Sequence, residues 1–278
     1  MGDILRQARN NVDLPLQFFT SALHGLGDAK LFSAVESYCM FVGYPRSGHS
    51  LVGSLLDAHP EAVIAHELDA LRFVRAGFGR SQLYSQLLRN SQGYGERREI
   101  VYDYTVPNQW QGRFRRIRVI GDKKGGRSTW RLGEAPRLLQ RLQKVVGVPI
   151  RFIHVIRNPF DNIATIYRRS APPGGLTAAA DRYIGLCATM ASLADRLGPD
   201  PMLEIRHEEL LSDPAETIAR LCSFVGLEAD PGFVSDCAGI LFEAPNRTRD
   251  SVDWPAPLVD RVDAAIERYP FLRGYSYA

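Results

Sequence analysis

The sequence predicts an α/β fold with three layers, αβα, in which helices cover both faces of a central, mainly parallel sheet. Short apolar runs typical of buried strands alternate along the chain with stretches whose apolar residues recur at helical spacing. The length of 278 residues, with 45% hydrophobic and 23% charged residues, is that of a globular protein able to form one large core. The predicted strands cover 40–42, 62–65, 117–120, 150–157 and 202–206.

Helices are predicted between these strands, and two of them have clear start signals. Asn158-Pro159 and Asp213-Pro214 each pair a capping side chain with a proline suited to the first helical turn. Further helices are predicted from Pro15, after residues 43–50, from His66, and over 127–147, 177–197 and 259–269.

For two segments the sequence leaves alternative environments open. Leu16, Phe19, Leu23 and Leu26 form one face of the first helix, and we expect this face to pack against the domain or a partner subunit. Residues 77–115 contain five glycines among aromatic and basic residues, which predicts an irregular excursion. That excursion is either a mobile lid or acceptor-binding wall, or a plain surface loop.

The first strand leads into a loop with the spacing of a phosphate-binding P-loop. Gly43 is followed by four residues, then by Gly48, His49 and Ser50, so that His49 stands where such loops have lysine. The unpaired amide groups at a helix start form an anion cradle, and Arg46 supplies a cation within the loop. The preceding strand, Ser50 and Arg46 favour anion binding over glycines that only mark a helix start.

Composition excludes several classes of protein. A net charge of +3 is too small to predict nucleic-acid binding. Cys39, Cys187, Cys222 and Cys237 lack the spacing of zinc ligands and indicate no disulfide framework, which fits a reducing compartment. No apolar run reaches the ~18 residues of a membrane span. These features predict a cytoplasmic protein.

Polar residues follow several predicted strands, where ligands of open parallel sheets bind. Glu67 follows the second strand, and Asp122 follows the third, where it is either a Mg²⁺ ligand or part of a basic turn with two lysines. Arg157 ends the fourth strand, and Thr165 comes eight residues later, so both side chains can share one anion. His154, inside that strand, is more typical of a satisfied core histidine.

Three motifs resemble those of sulfotransferases that use 3′-phosphoadenosine 5′-phosphosulfate (PAPS). Residues 43–48 resemble the 5′-phosphosulfate loop, and Arg157-Asn158-Pro159 with Thr165 resembles the 3′-phosphate motif. Residues 207–214 and 224–227 resemble the Tyr-Glu-Asp-Leu element and its helix. The stretch 45–67 is particularly similar to the tyrosylprotein branch of the family. In that branch arginine replaces the loop lysine, and a glutamate at the position of Glu67 is the general base.

The resemblance implies a P-loop-type fold and transfer of a sulfuryl group from PAPS to an acceptor hydroxyl or amine, with 3′-phosphoadenosine 5′-phosphate (PAP) as product. It implies a single domain over 1–278, with an N-terminal helical segment at 1–38 and a P-loop core at 39–278. Glu67 is then the base, with His66 as its rival, and Arg46 stabilises the charge that develops during transfer. Lys123 assists the leaving phosphate, with Lys124 as its competitor. The implied donor-binding residues are Arg46, Ser47, Gly48, His49, Ser50, Arg157, Thr165, Arg247 and Arg249, and no metal is implied.

Two departures and two other functions accompany this interpretation. His49 stands where the family usually has threonine, and His207 stands where it usually has a tyrosine near the adenine. A P-loop kinase would place Mg²⁺ on Asp122 and Ser50, although a histidine at the lysine position argues against it. A nucleotide-binding protein without turnover is the other alternative.

The expected partner is a small-molecule or other sulfate acceptor, with no nucleic acid and no membrane. The expected state is a monomer or homodimer.

Overall fold

A computed structural model describes residues 14–95 and 104–278 of the chain. Its five strands form one sheet in the order β2-β3-β1-β4-β5, and every neighbouring pair is parallel. The predicted α/β fold with a central parallel sheet is therefore confirmed. The strands are β1 (Ser37–Gly43), β2 (Ala62–His66), β3 (Val119–Lys123), β4 (Ile150–Ile156) and β5 (Met202–Arg206).

Helices connect successive strands and cover the sheet. The first seven, in chain order, are α1 (Leu14–Asp28), α2 (His49–Asp57), α3 (Ala70–Arg75), α4 (Arg80–Gly95), α5 (Gly125–Glu134), α6 (Arg137–Val146) and α7 (Pro159–Ser170). They are followed by α8 (Gly175–Leu197), α9 (His207–Ser212), α10 (Pro214–Val225), α11 (Pro231–Ala238) and α12 (Ala256–Arg268). Short 3₁₀ helices lie at Leu31–Ala34, Thr248–Ser251 and Pro270–Leu272.

The central strand separates two hydrophobic cores. Tyr38, Met40 and Val42 of β1 belong to one buried cluster, and Cys39 and Phe41 belong to the other. Because successive side chains of a strand point to opposite faces, one apolar run fills both cores. β1 consequently lies between helical layers, with the ends of β3 and β4 beside its own end.

Several predicted boundaries are wrong. β3 extends through Asp122 and Lys123, which pair with Ala65 and His66 of β2. The helix predicted over 127–147 is two helices, α5 and α6, separated at Pro136. The helix predicted from His66 starts only at Ala70, and the intervening Glu67 and Asp69 have positive φ angles.

The segment 77–115 is not wholly irregular, because it contains the 16-residue helix α4. Leu83, Tyr84, Leu87 and Leu88 form its buried face. Residues 96–103, with Tyr102, lie outside the described residues. α11 was not predicted either.

The apolar face of α1 does not pack against the domain, the first of the two environments expected for it, and packing against a partner subunit stays a prediction. The side chains of Leu16, Phe19 and Leu23 are 67%, 70% and 73% exposed. The packed face instead carries Ser21 and Gly25, where a Cβ on Gly25 would lie 2.9 Å from the backbone of Ser81. Small residues set the contact because they let α1 approach α4 closely. The side chain of Leu26 lies outside the described residues.

Other features concern the cysteines and membranes. All four cysteine thiols are buried and free. In the parts of the chain that the structure describes, no helix combines the length and apolar character needed to cross a bilayer.

Candidate active site

The loop that joins β1 to α2 has the backbone geometry of an anion site. Gly43, Arg46 and Gly48 have positive φ angles of 119°, 70° and 106°. α2 begins directly after Gly48, so the amide groups of its first turn have no partner within the helix. A Cβ at Gly48 would lie 2.8 Å from Nδ1 of His207, which requires glycine there. The loop presents backbone donors, with Arg46, at the carboxyl end of the central strand.

His49 supports this loop from inside the fold. Its Nε2 donates to the carbonyl oxygen of Val42 at 2.9 Å, and its Nδ1 lies 3.1 Å from Oγ of Ser47. Burial lowers the pKa of His49 to about 4, so the ring is neutral at neutral pH. The ring therefore supplies no cation, and the group that His49 can offer an anion is its backbone amide.

Glu67 follows β2 and contacts two lysines. Its Oε1 is 3.3 Å from Nζ of Lys123, and its Oε2 is 3.0 Å from Nζ of Lys124. Burial acts to raise the pKa of Glu67, but the charges of the two lysines outweigh burial and hold this pKa well below its usual range. The carboxylate is therefore ionised, the form that can accept a proton.

Lys123 connects this carboxylate with the anion loop. Its side chain is 3% exposed, and its Nζ donates to Oγ of Ser50 at 3.0 Å and to Nε2 of His66 at 3.3 Å. Burial lowers the pKa of Lys123 to about 8, although Glu67 opposes this shift. Lys123, rather than Lys124, is thus the lysine in hydrogen-bond contact with the first turn of α2.

A second cationic centre lies at the end of β4. Nη1 of Arg157 donates to Oγ1 of Thr165 at 3.3 Å, and its Nη2 donates to Oγ1 of Thr248 at 3.2 Å and to the carbonyl oxygen of Asn246. The hydroxyl groups of Thr165 and Thr248 are 3.2 Å apart. The predicted neighbours Arg157 and Thr165 are therefore brought together, in a cluster that also includes Thr248 and the carbonyl group of Asn246.

His207 lies between the two centres. Its ring packs against Gly48, and its Nδ1 is buried without a hydrogen-bond partner among the described residues. Burial lowers the pKa of His207 to about 4, and the charge of Arg157 acts in the same direction. The ring is neutral and lies beside Gly48 of the loop, within reach of the charge of Arg157.

All these groups line one cleft along the carboxyl ends of the strands. The cleft has a volume of about 2350 Å³. It joins an anion loop, a carboxylate beside a buried lysine and a second cationic centre, an arrangement suited to a ligand with two separate anionic groups. Its lining includes Arg46, Gly48, Ser50, Glu67, Lys123, Arg157, Thr165 and Thr248.

Comparison with protein families identifies the chain. The model of the sulfotransferase family matches residues 40–231, more than half of the sequence and both centres of the cleft except Asn246 and Thr248. This chain belongs to the sulfotransferase family. A search of the curated proteins finds no match.

Solved structures share the fold of this sulfotransferase. The sulfotransferase domain from the Synechococcus PCC 7002 olefin synthase has a TM-score of 0.52 and 17% identity, over 84% of this chain and 94% of that chain. The sulfotransferase domain from the curacin biosynthetic pathway has a TM-score of 0.54 and 15% identity, over 85% of this chain and 98% of that chain. At these identities the likeness shows the fold.

Two arginines predicted to bind the donor lie outside the cleft lining of this sulfotransferase. Nε of Arg247 is 3.0 Å from Oδ2 of Asp250, on a half-exposed side chain. Arg249 is buried, where its guanidinium donates to the carbonyl oxygens of Ser276 and Ala278 at 3.2 and 3.4 Å. The guanidinium group of Arg247 thus faces a carboxylate and that of Arg249 faces the tail, and donor binding by these two residues stays a prediction.

Asp122 is not placed as a Mg²⁺ ligand. Its Oδ1 accepts the N–H of Leu68 at 3.1 Å, and its Oδ2 accepts the N–H of Ala70 at 2.7 Å. Burial raises the pKa of Asp122 to about 7. This carboxyl group holds the segment that carries Glu67, which removes the main support for the kinase alternative.

Sequence reasoning missed Thr248 and the carbonyl group of Asn246. Both lie in the polar stretch 244–254, where the charged residues Arg247 and Arg249 drew attention instead. A hydroxyl between two arginines was the available signal, but its meeting with Thr165 depends on long-range packing of the 3₁₀ helix against α7.

Proposed function

We propose that this sulfotransferase transfers a sulfuryl group from PAPS to a hydroxyl or amine of a small-molecule acceptor and releases PAP. The observation that carries the proposal is the presence of two anion-binding centres in one cleft, the loop with Arg46 and the cluster around Arg157. PAPS has anionic groups at both its 5′ and its 3′ position, whereas ATP has none at its 3′ position. A second centre at Arg157 therefore favours the bisphosphorylated nucleotide.

Unpaired buried atoms support a ligand at the second centre. Nε of Arg157 and Nδ1 of His207 are buried and have no hydrogen-bond partner among the described residues. A buried polar atom without a partner costs about 1–3 kcal/mol, so a ligand that pairs with it gains affinity. The residues present thus fit a nucleotide that reaches from the loop to Arg157.

The donor-binding roles follow from position. The amide groups of residues 47–50 and the guanidinium of Arg46 bind the phosphosulfate, since a helix start and an arginine both favour anions. Arg157, Thr165 and Thr248 bind the 3′-phosphate through N–H and O–H donors. His207 lies between these groups, against the nucleoside.

The chemistry requires one proton transfer and stabilisation of charge. The bond between sulfur and the 5′-phosphate oxygen breaks as the acceptor oxygen or nitrogen bonds to sulfur. Glu67 takes the acceptor's proton, and the ammonium group of Lys123 stabilises the charge that develops on the leaving phosphate. The assignment of Glu67 as the base draws on the likeness of 45–67 to the tyrosylprotein branch.

The test measures by chromatography how much PAP forms from PAPS. The reaction is run with and without a mixed panel of phenols, sugars and amines as acceptors. We expect PAP release to depend on an acceptor, and sulfur-35 from the donor to appear in the acceptor. Glu67→Gln keeps the shape of the side chain and removes the base, so the transfer rate should fall by at least ~10²-fold. A protein that binds PAP tightly yet yields no acceptor-dependent PAP is a nucleotide-binding protein without turnover.

A further inference from the structure

The cleft has more positive charge than the donor-binding groups account for. Among its lining residues in the described ranges, nine are lysine or arginine and three are aspartate or glutamate. Each of these three carboxylates has a basic partner: Glu67 contacts the lysine pair, Asp69 pairs with Arg131 at 2.6 Å, and Asp181 pairs with Arg261. Arg131 and Arg261 are not among the nine, so basic side chains outnumber acidic ones in the part of the lining that the structure describes.

Besides Arg46, Arg157 and the lysine pair at Glu67, the lining has five arginines: Arg72, Arg127, Arg168, Arg169 and Arg182. Arg72 donates to Oε1 of Gln17 at 3.2 Å, and Arg127 lies 4.0 Å from Asp69. Arg169 lies in the last turn of α7 and Arg182 lies in α8, so they flank the turn between these helices. Both are exposed, both line the cleft, and neither has a hydrogen bond or ion pair among the described residues. Arg168, by contrast, donates to Oγ of Ser251 at 3.1 Å. Arg169 and Arg182 are thus available to a ligand.

The remaining wall of the cleft joins these arginines to an aromatic surface. Arg182, Gly185 and Thr189 line the cleft from one face of α8. The same face also packs closely against α5. The Thr189 side chain would lie 2.6 Å from a Cβ at Gly133 of α5. On α5, the ring of Trp130 is 39% exposed and lines the cleft.

The volume leaves room for a second molecule. Pockets for single ligands usually measure about 300–1,000 Å³, and this cleft measures about 2350 Å³. The nucleotide occupies the part between the loop and Arg157. The part bordered by α5, α8 and the end of α7 is therefore the acceptor side, and its character is cationic and aromatic.

We propose that the acceptor carries a carboxylate or phosphate group, which Arg169 and Arg182 bind while its hydroxyl or amine lies at Glu67. Arginine binds both groups through paired N–H donors, and its charge persists at every physiological pH. This inference rests on the proposed sulfuryl transfer and names the class of its acceptor.

The test compares phenols of matched shape and different charge. Wild-type protein with sulfur-35 PAPS is assayed against para-hydroxyphenylacetamide, para-hydroxyphenylacetate and para-hydroxybenzylphosphonate, in which a methylene group isolates the phenol from the charge. The carboxylate and phosphonate arms distinguish the two anion types. We expect at least one anionic acceptor to have a kcat/KM about 10-fold or more above that of the amide.

Charge-reversal variants assign the effect to the two arginines. The double variant Arg169→Glu with Arg182→Glu should lose the advantage of the anionic acceptor, chiefly through KM, and should keep its calorimetric affinity for PAP within about twofold. Arg141→Glu is the matched control, since Arg141 is exposed on α6 and does not line the cleft. It should leave the advantage intact.

The outcomes distinguish failure of this inference from failure of the proposed function. A neutral acceptor that is preferred, or an anionic preference that survives the double variant, overturns the anionic class while sulfuryl transfer stands. Loss of PAP affinity in the double variant assigns the arginines to the donor and also overturns the inference. No transfer to any acceptor by a protein that binds PAP contradicts the proposed function, and the inference falls with it.

Discussion

Glu67 has a lysine at each of its carboxylate oxygens, at 3.3 and 3.0 Å. This arrangement keeps the group ionised but also lowers its basicity, because two positive charges oppose the uptake of a proton. Nζ of Lys123 also lies 3.0 Å from Oγ of Ser50, at the start of α2. An anion bound at the loop therefore competes with Glu67 for this ammonium group. The base and the leaving-group site are consequently linked by a single buried ammonium group.

The base assignment predicts separate effects of Glu67→Ala on turnover and binding. We expect kcat to fall by at least ~10²-fold, as on removal of a general base. The affinity for PAP should be unchanged or slightly higher, because removal of the carboxylate leaves Lys123 and Lys124 uncompensated. Steady-state kinetics and PAP titration measure both.

His66 is the rival base and supplies the control. Its Nε2 accepts from Lys123 at 3.3 Å and so is already occupied. His66→Gln should retain most of the activity. If His66→Gln removes turnover and Glu67→Ala does not, the roles of the two residues must be exchanged.

The second centre predicts a difference between two arginines. Arg157→Ala should weaken PAP binding about 10- to 100-fold, because hydrogen bonds to a charged group contribute about 1.5–3 kcal/mol each. Arg247→Ala should leave the affinity within about twofold, since its guanidinium pairs with Asp250 and does not line the cleft. Calorimetric titration of both variants decides the assignment. Equal losses would return Arg247 to the site.

His49 predicts a pH dependence of stability. Its pKa is about 4 in the folded protein against 6.5 ordinarily, so only the unfolded chain takes up this proton between these values. Stability falls as the pH falls from 6.5 to 4, by up to ~1.4 kcal/mol per pH unit from this group. Asp122 acts in the opposite sense, because its pKa is raised to about 7 and the folded state protonates first.

The measurement is denaturant unfolding of the wild type and His49→Gln across this pH range. Comparing the two proteins cancels the contribution of Asp122 and of other groups that both contain. We expect a shallower acid-side loss in the variant. If the stability of both proteins falls equally as the pH falls, His49 does not release a proton on folding.

At the scale of elements, the loop before α2 depends on a residue without a Cβ. Gly48→Ala would place a methyl group 2.8 Å from Nδ1 of His207, at a φ of +106° that other residues rarely adopt. We expect this variant to lose most of its affinity for PAP. Gly27→Ala is the matched control, because among the described residues a Cβ there meets no atom within 4 Å beyond its chain neighbours and its own helix backbone. Normal PAP affinity in Gly48→Ala would remove the loop from donor binding.

Elements with a strong local pattern were predictable from the sequence. The strand, loop and helix around 39–56 follow from an apolar run, two glycines and helical spacing, all of which are local features. The starts at Asn158 and Asp213 are also local, and both side chains accept the expected N–H bonds, from Phe160 and Glu216. Local chemistry decides these elements.

Other elements depend on distant partners. Asp122 is tolerated in a buried strand because the N–H groups of Leu68 and Ala70 reach it from another segment. Arg249 turns away from the cleft because the tail at Ser276 and Ala278 accepts its hydrogen bonds. Helix α4 was not predicted, because the glycines near its ends indicated an irregular segment more strongly than its leucines indicated a buried helical face. Spacing along the chain does not contain this information.

At the scale of the whole molecule, we propose that the N-terminal helix and the P-loop core form one domain. The rings of Phe18 on α1 and Phe78 are 5.1 Å apart, and Nε2 of Gln82 donates to the carbonyl oxygen of Phe18 at 2.9 Å. These contacts join α1 to the segment that follows β2, which predicts a single cooperative unfolding transition of the chain.

The central claim is that the cleft is built for a 3′-phosphorylated nucleotide. The most direct measurement is calorimetric titration of the purified protein with PAP in the presence of a chelator, in parallel with ATP plus Mg²⁺. The two centres predict tight binding of PAP without metal and much weaker binding of ATP. A preference for ATP with Mg²⁺ would contradict the account.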